Sequence, residues 1–247
     1  MPKLNDQTQE NHKIVGANFG YSATKLDELG ATEFTLVTIV NDTSGSVNDY
    51  KQDMESALKE IVNACGNSPR ADFLLLRHLQ FNDSVSETHG FKMLDTCKVA
   101  DYDNCLNITG CTALFDASKN AILATGDYAD KLAKSRYLVN AIVIVMTDGC
   151  DNASANRADD VKAALAKVMK DESLESILTI LVAVGYEDAY SKDELDRFHK
   201  EAGFTQFVDI KDANAKNLAK LAQFVSQSVS SQSQALGTGG SSQPLTF

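Results

Sequence analysis

Oxygen-bearing side chains are concentrated in a short segment that directly follows an apolar run. The segment reads Asp42-Thr43-Ser44-Gly45-Ser46, so a carboxylate and two serine hydroxyls occupy every second position. If the backbone is locally extended, these three side chains lie on one face, because side chains alternate along an extended chain. The glycine allows the chain to turn tightly between the serines. The segment therefore has the composition of a loop that presents oxygen atoms to a ligand.

Two further segments place oxygen atoms in comparable positions. Asp148 follows a second apolar run, within the triplet Thr-Asp-Gly, and Thr112 precedes a helical pattern. Oxygen donors without sulfur or nitrogen suit hard divalent cations, above all Mg²⁺, with Mn²⁺ and Ca²⁺ as rivals. The sequence thus predicts one metal site, with these ligands: Asp42, Ser44, Ser46, Thr112 and Asp148.

The charge of this ligand set bears on what else could bind. Asp42 and Asp148 together balance the charge of a dication, and the hydroxyl groups are neutral. The cation could then still accept a carboxylate from outside in place of a water, since Mg²⁺ tends to keep several waters. We therefore expect a protein partner to supply a Glu or Asp to the metal.

Near-continuous apolar runs indicate the strands that must position these loops. Such runs are typical of strands that are buried on both faces of a parallel sheet. A shorter run at 205–210 is a further candidate, and the alternating segment 84–91 favours an antiparallel edge strand. The four main runs cover residues 34–40, 73–81, 141–147 and 177–184.

Helical patterns separate the strands, and the alternation predicts an α/β fold with a doubly wound, mostly parallel central sheet and helices on both faces. Ligands of such sheets bind outside the carboxyl ends of the strands, which is where the predicted metal ligands fall. In the third helical pattern, Met169 is expected on the buried face. The patterns cover residues 50–65, 114–122, 161–169, 195–198 and 218–229.

The three polar segments, in this order and context, resemble the metal-ion-dependent adhesion site of the von Willebrand factor type A (vWA) family. The resemblance covers roughly residues 32–230 and implies the Rossmann-like vWA fold. It implies that Ser44 and Ser46 bind the metal directly and that Thr112 binds it in one state of the site. Asp42 and Asp148 would contact the metal directly or through water. Residues 1–31 would be an N-terminal extension, and 231–247 a linker-like tail rich in Ser, Gln and Gly.

The phrases at 30–47 and 69–91 resemble stand-alone vWA proteins of the intracellular bacterial or phage type. That resemblance implies an AAA+ ATPase or an assembly component as partner, and a location in the cytoplasm or in a phage particle. The polar N-terminus lacks the apolar core of a signal peptide. No run of about 18 apolar residues indicates a membrane span.

Composition excludes some further classes. With 23 basic and 34 acidic residues the net charge is −11, which argues against a nucleic-acid partner. The five cysteines form no CxxC pair, and reduced cysteines are expected. Cys111 and Cys150 flank the predicted site, where they could respond to oxidants or serve as packing residues. Asp151 and Asn152 could support the ligands or cap a turn.

Three functional classes remain open at this stage. A binding module is favoured, because the sequence has no phosphate loop, no GxGxxG after the first strand and no GxSxG elbow. A metal-dependent phosphohydrolase is the enzymatic alternative. However, no Lys or Arg that could clamp a phosphate lies within 42–50 or 137–156. The third class is a structural component of a phage particle or large assembly, which the two terminal segments would suit.

Overall fold

The protein is built around one mixed sheet of eight strands. A computed structural model describes residues 7–15, 17, 19–186, 188–239 and 245–247. The strands are β1 (Gln9–His12), β2 (Tyr21–Thr24), β3 (Glu33–Asp42), β4 (Leu74–Phe81), β5 (Val85–Met93), β6 (Leu138–Thr147), β7 (Ser176–Val184) and β8 (Gln206–Ile210). Their order across the sheet is β1-β2-β5-β4-β3-β6-β7-β8. The neighbouring strands β4, β3, β6, β7 and β8 are parallel to one another, and β5 runs antiparallel to β4.

Helices cover both faces of the sheet, as the sequence pattern predicts. The apolar residues of β3 alternate: Leu36 and Val40 face the core under α2, α3 and α4, and Val37 and Ile39 face the core under α1 and α5. Both faces of the central strands are therefore buried, which explains their nearly uninterrupted apolar sequences. The helices are α1 (Lys51–Gly66), α2 (Leu114–Lys134), α3 (Ala158–Lys170), α4 (Ala189–Ala202) and α5 (Ala215–Thr238).

The antiparallel strand β5 is not the edge of the sheet. The two N-terminal strands lie outside it, and β2 runs parallel to β5 with Ala23 opposite Phe91. Gly90 allows this approach, because a Cβ atom at residue 90 would lie 2.0 Å from the carbonyl oxygen of Ser22. The segment that we predicted as an N-terminal extension thus contributes two strands to the same sheet.

The polar C-terminal segment is helical where its composition suggested a linker. Helix α5 continues to Thr238, well beyond the predicted boundary at residue 230. Two of its buried polar residues accept hydrogen bonds from remote parts of the chain: the Gln232 carbonyl accepts one from Asn140 Nδ2 at 2.9 Å, and Ser233 Oγ accepts one from Arg70 Nε at 3.0 Å. These bonds stabilise a helix that the Ser- and Gln-rich sequence conceals. The final Phe247 packs against Phe224, at 5.3 Å between ring centroids.

Two local expectations have different outcomes. Met169 was expected on the buried face of α3, which is wrong, because its side chain is 65% exposed and Val168 is the buried residue at this position of the helix. Within the described ranges, no helix is long and apolar enough to cross a membrane.

Candidate functional site

The predicted ligands lie at the carboxyl edge of the sheet, where β3 and β6 end side by side. The two strands pair in parallel, with Asn41 opposite Met146, so Asp42 and the Asp148 that follows β6 emerge next to each other. Strand β4 lies on the other side of β3 from β6, so the strand order reverses at this point of the sheet. That is the crevice position at which open α/β sheets bind ligands.

Asp42 is completely buried at the end of β3. Its Oδ1 accepts a hydrogen bond from the backbone N–H of Ser44 at 2.8 Å, and its Oδ2 accepts one from the Thr147 hydroxyl at 2.6 Å. Burial raises the pKa of Asp42 to about 7, the Thr147 bond opposes this rise, and the nearby Asp148 carboxylate adds to it. A bound cation would lower the pKa of Asp42 again, since a nearby positive charge favours the charged carboxylate.

The hydroxyls of the two serines lie together, but not along the extended backbone that the alternating sequence predicts, because the 3-10 turn Gly45–Tyr50 begins between them. Ser44 is buried and Ser46 is exposed, and their Oγ atoms are 3.1 Å apart. Gly45 lies between them and donates its N–H to the Gly110 carbonyl at 3.1 Å. This bond attaches the serine loop to the loop that precedes Thr112.

Thr112 is buried two residues before α2 and is fixed by the loop that follows Asp148. Its N–H donates to Asn152 Oδ1 at 2.7 Å, and its carbonyl accepts the N–H of Asn152 at 2.9 Å. Asp151 of the same loop accepts the N–H of Phe115 in the first turn of α2 at 3.2 Å. The three predicted ligand loops are therefore joined to one another by hydrogen bonds.

Asp148 has a buried carboxylate oxygen that a cation could bind. The residue is 7% exposed, and in the described part of the chain its Oδ1 is buried without a hydrogen-bond partner. A buried carboxylate oxygen without a partner is costly. No group of three or more His, Cys, Asp or Glu side chains that could hold a metal is found among the described residues. The predicted set has only two carboxylates, and its other donors are hydroxyls, so the residues fit a hard cation.

The sequence did not indicate that Thr147 contacts Asp42, and it left open the role of Asn152. The hydroxyl of Thr147 also lies 3.1 Å from the carbonyl oxygen of Gly149, within the turn that aims Asp148. Its position at the end of β6, one residue before the carboxylate, is the signal that could have identified it. Asn152 fixes the loop of Thr112, and Asp151 caps the first turn of α2, so the two roles that the sequence left open are divided between the two residues.

The flanking cysteines are separate thiols. All five cysteines of the chain are free, and Cys111 is exposed beside Thr112. Its backbone N–H donates to Asp83 Oδ1 at 3.1 Å. Cys150 is half-buried, with its Sγ 3.9 Å from the Ser191 carbonyl oxygen.

A histidine pair that the sequence spacing did not reveal lies beneath the site. His78 of β4 faces His89 of β5, with 6.3 Å between the ring centroids. Its Nε2 is 3.0 Å from Asn41 Oδ1, so the ring supports the residue before Asp42. Burial, and then the neighbouring histidine, hold the pKa of His78 well below its ordinary value. His78 is therefore a neutral part of the core at physiological pH.

The chain has a vWA-like α/β fold, and several solved structures share this fold. The PilB minor pilin from Streptococcus sanguinis matches with a TM-score of 0.58 at 15% identity, over 88% of this chain and 66% of that one. A proximal thread matrix protein from the mussel byssus, with a zinc-occupied MIDAS motif (metal-ion-dependent adhesion site), matches with a TM-score of 0.53 at 22% identity. That match covers 82% of this chain and 47% of the byssus protein.

The pilus adhesin SpaC from Lactobacillus rhamnosus GG also matches, with a TM-score of 0.56 at 10% identity over 82% of this chain and 30% of the adhesin. This chain thus spans less than two thirds of each of these three proteins. No protein-family profile and no curated protein sequence matches it. The likeness therefore establishes the fold.

Proposed function

We propose that this protein is a metal-dependent protein–protein binding module. A divalent cation, Mg²⁺ by preference, would be held by Asp42, Ser44, Ser46, Thr112 and Asp148, and a partner protein would supply a Glu or Asp to it. The observation that carries this proposal is the buried Asp148 oxygen without a hydrogen-bond partner, next to a second buried carboxylate. A cation would satisfy both carboxylates at once.

Coordination chemistry supports capture of an acidic residue. The two carboxylates leave a dication about neutral, so an incoming carboxylate still gains from direct coordination in place of water. Burial of the contact by the partner lowers the local dielectric and strengthens that attraction. The exposed Ser46 marks the side from which a partner residue would approach.

The structural neighbours support the same class of function. One of them has a zinc-occupied MIDAS motif, and another is a pilus adhesin. The first is a thread matrix protein and the second is an adhesin. We extend to this chain only the use of a bound metal for contact with another protein. An AAA+ ATPase or an assembly component is the partner that the sequence resemblance implies.

A capture experiment with matched variants tests the proposal. Lysate of the native host is passed over wild type and over the double variant Ser44→Ala/Ser46→Ala, each with Mg²⁺ or with a chelator. We expect partners to be retained only by wild type with Mg²⁺. The double variant should still fold, because it removes the hydrogen bond between the two serine hydroxyls, which contributes about 1 kcal/mol. Equal retention under all four conditions would contradict a role for the metal.

Catalysis is tested separately. We propose that the protein is not an enzyme, since the loops around the site carry no Lys or Arg to stabilise a transferred phosphate. Incubation with Mg²⁺ and generic phosphate esters should give no turnover. Hydrolysis that disappears in Asp42→Asn would instead favour the phosphohydrolase.

A further inference from the structure

Acidic side chains lie in the loops that carry the predicted metal ligands and in the turns beside them. Asp83, in the turn between β4 and β5, is exposed and accepts the N–H of Cys111, one residue before Thr112, at 3.1 Å. Asp151 is half-buried three residues after Asp148 and accepts the N–H of Phe115. Both carboxylates are therefore fixed in the loops that carry the ligands.

Two further exposed carboxylates lie in neighbouring segments. Asp49 lies in the 3-10 turn Gly45–Tyr50, which begins at the serine loop. Asp188 caps α4 by accepting the N–H of Ser191 at 2.8 Å, and the carbonyl oxygen of Ser191 lies 3.9 Å from Cys150 Sγ. We call these four residues the acidic rim: Asp49, Asp83, Asp151 and Asp188.

Basic side chains do not neutralise the acidic rim. Across the described ranges, none of its four carboxylates forms a salt bridge. Two lysines that lie close to rim residues in sequence are paired elsewhere: Lys51 with Glu55 at 3.9 Å, and Lys192 with Asp209 at 2.6 Å. The net charge of −11 gives the surrounding field the same sign.

We propose that the partner presents its Glu or Asp within a positively charged surface, so that Lys or Arg side chains around it contact the acidic rim while the carboxylate reaches the metal. This inference rests on the proposed function and specifies the chemistry of its partner. A separate observation also points to a ligand here: Asp148 Oδ1 is buried and has no hydrogen-bond partner among the described residues. An isolated acidic segment would be repelled by the rim, whereas basic residues flanking a Glu are attracted within a Debye length of about 10 Å.

A peptide selection tests this pairing of charges. The probe is a displayed library with one fixed central Glu and three random residues on each side, selected against wild type with Mg²⁺ and eluted with a chelator. We expect Lys and Arg to be enriched in the flanking positions, and we expect the enrichment to be lost when selection is done against Asp42→Asn.

The outcomes separate the two proposals. Binders that need Mg²⁺ and the central Glu but have neutral or acidic flanks would overturn the rim inference and leave the proposed function in place. A selection that yields no Mg²⁺-dependent binders would overturn both. Basic peptides that bind without Mg²⁺ and without the Glu would show plain charge attraction, which also counts against the inference.

A matched pair of variants then locates the effect. Asp49→Asn removes one rim charge outside the metal ligands, and Glu175→Gln removes one exposed charge just before β7, at the opposite edge of the sheet. For a selected basic peptide, we expect Asp49→Asn to raise the Kd by about two- to fivefold at low salt. Glu175→Gln should leave the Kd unchanged. Equal effects of the two variants would mean that only net charge matters, and the rim would have no specific role.

Discussion

Thr147 donates its hydroxyl hydrogen to Asp42 Oδ2 across 2.6 Å, which joins the ends of the two central strands directly beneath the predicted cation. The bond fixes the orientation of a carboxylate that is otherwise fully buried. With Ser44 N–H on the other oxygen, Asp42 is held in place before any metal arrives. Preorganised ligands of this kind lower the cost of ordering on binding.

Replacement of Asp42 by Asn should remove tight binding of Mg²⁺. The variant keeps the size of the side chain and loses one of the two charges that balance the cation, so we expect the affinity to fall at least tenfold, or about 1.4 kcal/mol. Titration calorimetry with Mg²⁺, Mn²⁺, Ca²⁺ and Zn²⁺ measures this and ranks the metals. An affinity equal to that of wild type would rule out the site, and Glu175→Gln is the control for a change of net charge.

The pH dependence of stability should reveal the same carboxyl. In the metal-free folded state, the pKa of Asp42 is raised from 3.8 to about 7. Because the folded state keeps a proton that the unfolded state has lost, stability from this group is fully present below the ordinary value and is lost as the pH rises through about 7. Within that window the expected slope is about 1.4 kcal/mol per pH unit.

Urea unfolding in the presence of a chelator measures this effect. The free energy of unfolding of wild type should fall relative to that of Asp42→Asn as the pH rises from about 5 to about 7. Saturating Mg²⁺ should reverse the trend in wild type alone, because the cation binds the ionised carboxylate. Parallel pH profiles for the two proteins would contradict a raised pKa at this residue.

Loss of the Asn152 side chain should weaken metal binding without touching a proposed ligand. Asn152 accepts the N–H of Thr112, so Asn152→Ala frees the threonine from its fixed position. We expect a drop in Mg²⁺ affinity of about three- to tenfold, in the range of a lost hydrogen bond. Asn152→Asp retains the accepting oxygen and should recover part of the affinity. If Ala and Asp variants bind Mg²⁺ like wild type, Asn152 has no positioning role.

Breaking the buried ion pair on β4 and β5 should destabilise the protein strongly. Arg77 Nε donates to Glu87 Oε1 at 2.7 Å, and the Arg77 side chain is 0% exposed. Glu87→Gln leaves the guanidinium without its counter-charge, so we expect a loss of about 3–5 kcal/mol in the free energy of unfolding. The double variant Arg77→Met/Glu87→Leu should recover part of this loss. Equal stability of the single and double variants would contradict the account.

The sequence was sufficient for the elements whose signal is strong and local. The apolar runs of β3, β4, β6 and β7 predict a mostly parallel sheet because these strands are buried on both faces, and the order of the three polar segments predicts a vWA-like fold. The ligand residues are brought to one edge because β3 and β6 pair in parallel. The metal and the partner stay predictions.

Other features depend on contacts between distant residues, which a local pattern does not contain. Strands β1 and β2 have four residues each and little apolar alternation, and β2 is held against β5 by Glu87, which accepts hydrogen bonds from Ser22 N–H and Oγ. Helix α5 extends to Thr238 because Asn140 and Arg70, remote in sequence, bond to its Gln and Ser residues. The predicted boundaries at residues 31 and 230 follow composition, and these contacts cross both of them.

The attachment of β2 through Glu87 has a dynamic consequence. The same carboxylate that neutralises the buried Arg77 also accepts hydrogen bonds from Ser22, and Gly90 allows the two strands to approach closely. Detachment of β2 would therefore deprive the buried Glu87 of these hydrogen bonds, so we expect the N-terminal hairpin to open together with the domain rather than to fray from it. Amide hydrogens at Ser22 and Ala23 should exchange as slowly as those of the central strands, which makes this end of the chain part of one cooperative unfolding unit.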